Sequence, residues 1–180
     1  MKKKFILGIG LAIVLAASAN FVAAQNRRAN AAAQTAISLR DLNNAALTLD
    51  DLKGKPTVLA IGATWLPLSR EQAAIANQLQ QTYKARGAAV YFVATDSADA
   101  KSKNFADDAA VKSFGERAKI AVPILRDANG TTLNVFKLDQ IPAFVVLNKN
   151  GEVAATIVGL DVENNQAAAR QIAAEIDKVL

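Results

Sequence analysis

Residues 57–83 read TVLAIGATWLPLSREQAAIANQLQQTY, and this stretch organises the rest of the chain. Val58, Leu59, Ala60 and Ile61 form an apolar run of the kind a central strand needs when both faces of its sheet are covered. Gly62, Ala63 and Thr64 thin the chain out, Trp65 follows, and Pro67 stands where the first turn of a helix tolerates a missing N–H. Ile75, Leu79 and Tyr83 then recur at helical spacing and draw one apolar stripe down a helix. Strand, proline-bearing turn and helix thus follow one another without a break.

Around this segment, 180 residues of which 52% are hydrophobic and 21% charged suit one domain with a substantial core. Lys2, Lys3 and Lys4 followed by FILGIGLAIVLAAS resemble the charged and apolar regions of an export signal of the bacterial kind, with small residues at 22–24 before a cut at Gln25. An uncleaved anchor is the alternative, since residues 5–24 carry nothing more polar than Ser18 and Asn20, close to the roughly 20 residues that span a bilayer. Arg27 and Arg28 just beyond argue against it, because positive charge prefers the cytoplasmic side. Either reading predicts an exported protein, in the periplasm or at the outer face of the membrane; contact with the membrane follows only if the segment stays attached. Three of the five net positive charges sit in this leader. The other Lys and Arg are scattered without interleaved aromatics, so nucleic acid is not expected as a partner. The expected organisation is a leader or anchor over 1–24, an Ala/Asn/Gln-rich linker over 25–35 and a folded domain over 36–180.

Along that domain, residues 36–39 and 46–49 predict a strand pair about a turn at Asn43 and Asn44. Residues 49–52 predict one helical turn ended by Gly54. The stretch Lys53-Gly54-Lys55-Pro56 lacks the glycine spacing and the hydroxyl residue of a phosphate loop and reads as a turn. Residues 89–95 predict a second buried strand. Asp96, Asp99, Asp107 and Asp108 lack the order of a calcium loop; Asp107 and Asp108 instead suit the N-terminus of a helix running to about Lys119. A short strand over 121–125, a turn over 127–130 and a helical piece over 133–138 lead to Ile141-Pro142. Residues 143–147 and 153–158, joined by Asn148-Lys149-Asn150-Gly151, predict an antiparallel hairpin. A last helix, capped by Asn164 or Asn165, runs to Leu180 on a face of Ala169, Ile172, Ile176, Val179 and Leu180. The order predicts an α/β domain with a mixed sheet and helices on both sides.

The strand, the Ala-Thr-Trp, the proline and the Arg-Glu of the opening stretch resemble the active-site segment of thioredoxin-like proteins of the TlpA/ResA type (redoxin, AhpC/TSA-like), whose hallmark is A-T-W-C-x-x-C-R-E. The resemblance extends to LKGKP before the first core strand, to IPAFVVLNKNG and to the closing helix. It implies an exported thiol-disulfide oxidoreductase with a three-layer α/β/α thioredoxin-like fold and an N-terminal β-hairpin. It also implies a cis proline at Pro142 facing the cysteine pair. Leu66 stands where the first cysteine belongs and Ser69 where the second belongs.

The chain contains no cysteine and no histidine. Thiol-disulfide exchange needs a thiolate to attack a sulfur, and Leu66 has no ionisable atom. Ser69 keeps the size of a cysteine, but an unassisted hydroxyl needs an adjacent base to act as a nucleophile; as a first-turn residue its hydroxyl suits a bond to the backbone. Zinc, copper and haem sites would need Cys or His ligands, so no cofactor or metal is expected. The corner becomes apolar instead: Trp65, Leu66, Pro67 and Leu68 lie opposite Ile141 and Pro142, which in this family flank a groove for an extended peptide. One reading is a redox-inactive module that binds such a segment, or a protein partner in the cell envelope, through these residues. The other is that Leu66 and Leu68 turn inward and add packing, each burial being worth about 1.5–3 kcal/mol. A catalytic oxidoreductase remains the expectation from resemblance alone, and a structural subunit of an envelope complex is a third possibility.

Overall fold

The structure, a computed structural model, describes residues 37–161 and 164–180; the expected leader or anchor over 1–24 and the linker over 25–35 lie outside them. The apolar run after Pro56 forms the strand β3 (Thr57–Gly62), buried along its whole length. Its neighbours are the parallel strand β4 (Ala89–Ala94) and the antiparallel strand β6 (Ala143–Leu147), so that Ala60 lies beside Phe92 on one side and Phe144 on the other. With β1 (Ser38–Asp41), β2 (Ala46–Thr48), β5 (Ile124–Arg126) and β7 (Val153–Val158) they make one seven-stranded mixed sheet in the order β2-β1-β5-β4-β3-β6-β7.

Period-two alternation divides the strand residues between two cores. Val58, Ala60, Val90, Phe92, Phe144 and Val146 face one apolar cluster; Leu59, Ile61, Val93, Val145 and Leu147 face the other. The first cluster is covered by α1 (Ser69–Tyr83), α2 (Asp108–Arg117) and α4 (Asn165–Val179) through Ile75, Leu79, Phe114, Ile172 and Ile176. The second is covered by Ile37, by the helical turn Asp50–Leu52 and by the segment around the short helix α3 (Thr131–Val135), including Phe136 and Leu138. Helices therefore flank both faces of the sheet, the long ones on the face that carries Tyr83 and Phe114. Among the described residues no helix is long and apolar enough to cross a membrane.

Several boundaries differ from the sequence expectation, each for a local reason. The strand predicted over 121–125 forms at Ile124–Arg126. Before it, Pro123 has no N–H to give a ladder, and Ala121 donates instead to Asn77 Oδ1 at 2.8 Å. The helical piece expected at 133–138 starts earlier, at Thr131, because the buried Asp127 carboxylate accepts from the backbone N–H and hydroxyl groups of both Thr131 and Thr132. The predicted strand over 36–39 is shifted to Ser38–Asp41, where Arg40 and Asp41 pair with Arg126 and Leu125 of β5. Pro67 precedes the helix rather than occupying its first turn; α1 begins at Ser69. Asn164 caps α4, its side chain accepting from Ala167 N–H at 3.2 Å.

Candidate functional site

The loop between β3 and α1 is pinned from three sides. Its entry is fixed by Thr95 of the segment after β4, whose N–H (2.9 Å) and hydroxyl (3.0 Å) both donate to the Gly62 carbonyl. Next, the buried Asp96 accepts the Thr64 N–H at 3.0 Å and the Thr64 hydroxyl at 2.7 Å. From below, Ser69 Oγ accepts the Ala63 N–H at 3.2 Å. Gln72, fully buried one turn further along α1, donates to the carbonyls of Ile61 (3.1 Å) and Ala143 (2.8 Å) and so ties the loop's base to the strand after Pro142. Buried amides and hydroxyls need such partners.

Between these anchors the chain turns tightly, with Leu66 N–H on the Ala63 carbonyl (3.2 Å) and Ser69 N–H on the Leu66 carbonyl (3.0 Å). Trp65 is thereby pushed outward and is 55% exposed. Pro67 is exposed, and Leu66 and Leu68 are half-buried and belong to neither core cluster. The two leucines are thus neither absorbed into the cores nor fully displayed. Ser69 is completely buried, its hydroxyl engaged with backbone. Across the sheet end, Ile141 is half-buried and packs on the second core, and the Ile141–Pro142 peptide is cis. Pro142 precedes Ala143, the register partner of Ile61, which brings it to the same end of the sheet as the loop.

A cleft of about 420 Å³ opens beside this loop, walled by Thr64, Trp65, Leu66 and Pro67. Its remaining wall is Arg70 and Glu71 from the first turn of α1 with Phe114 and Arg117 from α2. Trp65, Leu66 and Pro67 are thus brought together as expected site residues, whereas Leu68, Ile141 and Pro142 do not line this cleft. Sequence reasoning missed Arg70, Glu71, Phe114 and Arg117. Arg70-Glu71 was visible as the last pair of the quoted motif, and Phe114 and Arg117 share a helix face by their spacing of three, but nothing local joins that face to residue 65.

Phe114 packs α2 on the first core, and charge fixes its N-terminal end. Asp107 caps α2 by accepting Ala110 N–H at 2.8 Å, and Asp108 accepts two bonds of 2.8 Å from the Arg40 guanidinium on β1. Arg126, a buried residue of β5, reaches the same carboxylate with Nε at 3.1 Å and donates through Nη2 to the Ala106 carbonyl at 2.8 Å. Hydrogen bonds from Arg40, helped by the charges of Arg40 and Arg126 and opposed by partial burial, hold the Asp108 carboxyl below its ordinary range. Its native pKa is lower than its unfolded one. The pairing therefore contributes stability in full above the unfolded carboxylate range and loses it as pH falls through the lower native value. Asp108→Asn is expected to be less stable than the parent at neutral pH and to lose less stability on acidification, measured by denaturant unfolding at stepped pH. Parallel pH profiles for the two proteins would contradict this.

A mixed sheet flanked by helices, with the strand-turn-helix corner at one end and the Pro142 loop at the same end, is the thioredoxin-like arrangement. The positions that correspond to the reactive pair, Leu66 and Ser69, hold no thiol. The family model for AhpC/TSA matches residues 30–156, and the chain belongs to that family. ResA thiol-disulfide oxidoreductases are similar to it: the Geobacillus kaustophilus protein is 29% identical over 121 residues, 67% of this chain and 64% of that one. The Bacillus subtilis protein is 27% identical over 127 residues, 70% of this chain and 65% of that one. The chain thus spans just under two thirds of the length of these relatives, and it is a TlpA/ResA-type redoxin without cysteine. Among solved structures, a secreted Mycobacterium tuberculosis disulfide oxidoreductase homologous to E. coli DsbE superposes with a TM-score of 0.60 at 21% identity, covering 78% of this chain and 97% of that one. A thioredoxin-like protein from Aeropyrum pernix gives 0.62 at 13% identity, covering 86% and 99%. At these identities the superpositions speak for the fold alone.

Proposed function

We propose that this protein is a redox-inactive thioredoxin-like module of the cell envelope that binds an extended polypeptide segment, or a partner presenting one, across the corner formed by Trp65, Leu66, Pro67, Leu68, Ile141 and Pro142. The observation that carries the proposal is the outward Trp65, 55% exposed beside the half-buried Leu66, which stands at the position of the family's first thiol, and the half-buried Leu68. Exposed apolar groups in one place mark interaction surfaces, and pairing with an extended strand needs backbone and shape but no sulfur. The Pro142 carbonyl already accepts Gly159 N–H at 2.8 Å, so backbone pairing at that loop falls to Ile141. An envelope location is supported by the leader-like residues 1–24.

Calorimetric titration with a reduced, S-alkylated unfolded polypeptide tests the reading. The protein is expected to bind it, and Leu66→Ser with Leu68→Ser to weaken binding by about thirtyfold while the melting temperature hardly moves, because each leucine contributes on the order of 1 kcal/mol of contact. No binding, or a large loss of stability in the double variant, would sink the groove. Reduction of insulin by the unmodified protein above a no-protein control would sink the redox-inactive part.

A further inference from the structure

The cleft beside Trp65 is not chemically neutral. Arg70 and Arg117 both line it, and among the described residues neither guanidinium has a carboxylate partner; Arg117 donates only to the Ser113 hydroxyl, at 2.5 Å. Glu71 lines the cleft as well, with one carboxylate oxygen shut away from solvent. The nearby carboxylates are already engaged, Asp96 by Thr64 and Asp108 by Arg40 and Arg126. The cleft is therefore lined by two cations without a carboxylate partner, by the Glu71 carboxylate and by Trp65 and Phe114.

A ligand that answers the two arginines and the aromatic wall must bring one negative group and an apolar surface. We infer that the cleft selects, within the extended segment whose binding was proposed above and on which this inference rests, an acidic side chain flanking an apolar one. The Asp or Glu carboxylate accepts from Arg70 and Arg117, and the apolar neighbour lies against Trp65. A guanidinium donates to a carboxylate in a planar fork, which an amide or an ammonium side chain at the same place does not complete.

Trp65 is the one tryptophan of the chain, so its emission reports the cleft directly. The full protein is titrated at low salt with three synthetic peptides of one extended apolar sequence that differ in carrying Asp, Asn or Lys beside a single leucine. The Asp peptide is expected to bind about three- to tenfold tighter than the Asn peptide, since two partly exposed ion pairs act and each is individually weak, with the Lys peptide weakest. The preference should shrink as salt is raised, and Arg70→Gln with Arg117→Gln should bind the Asp and Asn peptides alike. Both arginines are exposed, so the exchange spares the core. Equal affinity of the parent protein for all three peptides, or a preference that survives in the double Gln variant, overturns the charge selection and leaves the groove standing. Failure of every peptide, whatever its charge, to alter Trp65 emission overturns both.

Discussion

Gly62→Ala is expected to destabilise the domain by about 2–4 kcal/mol, the sum of overpacking and lost hydrogen bonding. Gly62 is the last residue of β3, and a methyl group built there would meet Gln72 Oε1 at 2.4 Å, Ser69 Oγ at 2.9 Å and Phe92 Cζ at 3.2 Å. None of the three can withdraw freely. Phe92 and Gln72 are fully buried, Gln72 holds the Ile61 and Ala143 carbonyls, and Ser69 holds the Ala63 N–H. Overpacking of a well-filled core costs about 1–3 kcal/mol, and each buried hydrogen bond that is broken adds about 1 kcal/mol. At the usual sensitivity of domains of this size the melting temperature should fall by roughly 6–16 °C. The defect lies directly under the Trp65 turn, so the near-ultraviolet circular dichroism of Trp65 should change as well. A variant with unaltered melting temperature would show that Gln72 and Ser69 are not the fixed supports described above.

Leu66→Cys with Ser69→Cys is expected to create a thiol-disulfide reductase from a protein that has no thiol. Position 66 is half-buried at the head of α1 and position 69 is buried beneath it, joined by the Ser69 N–H to Leu66 carbonyl bond of 3.0 Å. A thiolate at position 66 would lie close to the positive end of the helix and share a cleft with Arg70 and Arg117, conditions that lower a thiol pKa; Glu71 opposes them. A fall of about one pKa unit from the free-cysteine value of about 8.5 raises the thiolate fraction near pH 7 several-fold. In the reaction, the thiolate introduced at position 66 would attack one sulfur of a substrate disulfide and expel the other as thiolate. The thiolate introduced at position 69 would then attack the position-66 sulfur of the mixed disulfide, releasing the reduced substrate and leaving an internal disulfide that dithiothreitol reduces. Insulin precipitation with dithiothreitol should run several-fold faster with the double variant than with the parent protein. Leu66→Cys alone should stop at the mixed disulfide, which non-reducing gels display. If the double variant neither forms an internal disulfide nor accelerates insulin reduction, the corner does not have the thioredoxin-like geometry assigned to it.

The fold was largely legible because its elements announce themselves locally. The apolar run at 58–61, the stripe of Ile75, Leu79 and Tyr83, and the hairpin about Asn150 and Gly151 are short-range patterns, and each became the element it predicts. Where boundaries moved, a side chain from outside the segment had taken a backbone group. Asp127 drew the start of α3 back to Thr131, and Asn77 held Ala121 out of the ladder. The site was legible only in part. Trp65, Leu66 and Pro67 were readable from the motif, while Arg126, a charged residue in a three-residue strand, gave no sign that it would be buried against Asp108.

Sequence alone settled that positions 66 and 69 carry no sulfur, that strand, turn and helix surround them, and that a proline precedes the strand at Ala143, since composition and period are properties of neighbouring residues. Tertiary structure alone decided that Trp65 faces outward, that Leu66 and Leu68 stay outside both cores, and that Arg70, Glu71, Phe114 and Arg117 share one cleft. Those outcomes depend on how β4 and β6 register against β3, on the packing of Phe114 in the first core and on the charge cluster that fixes the N-terminal end of α2. Contacts between residues dozens of positions apart leave no local pattern to read.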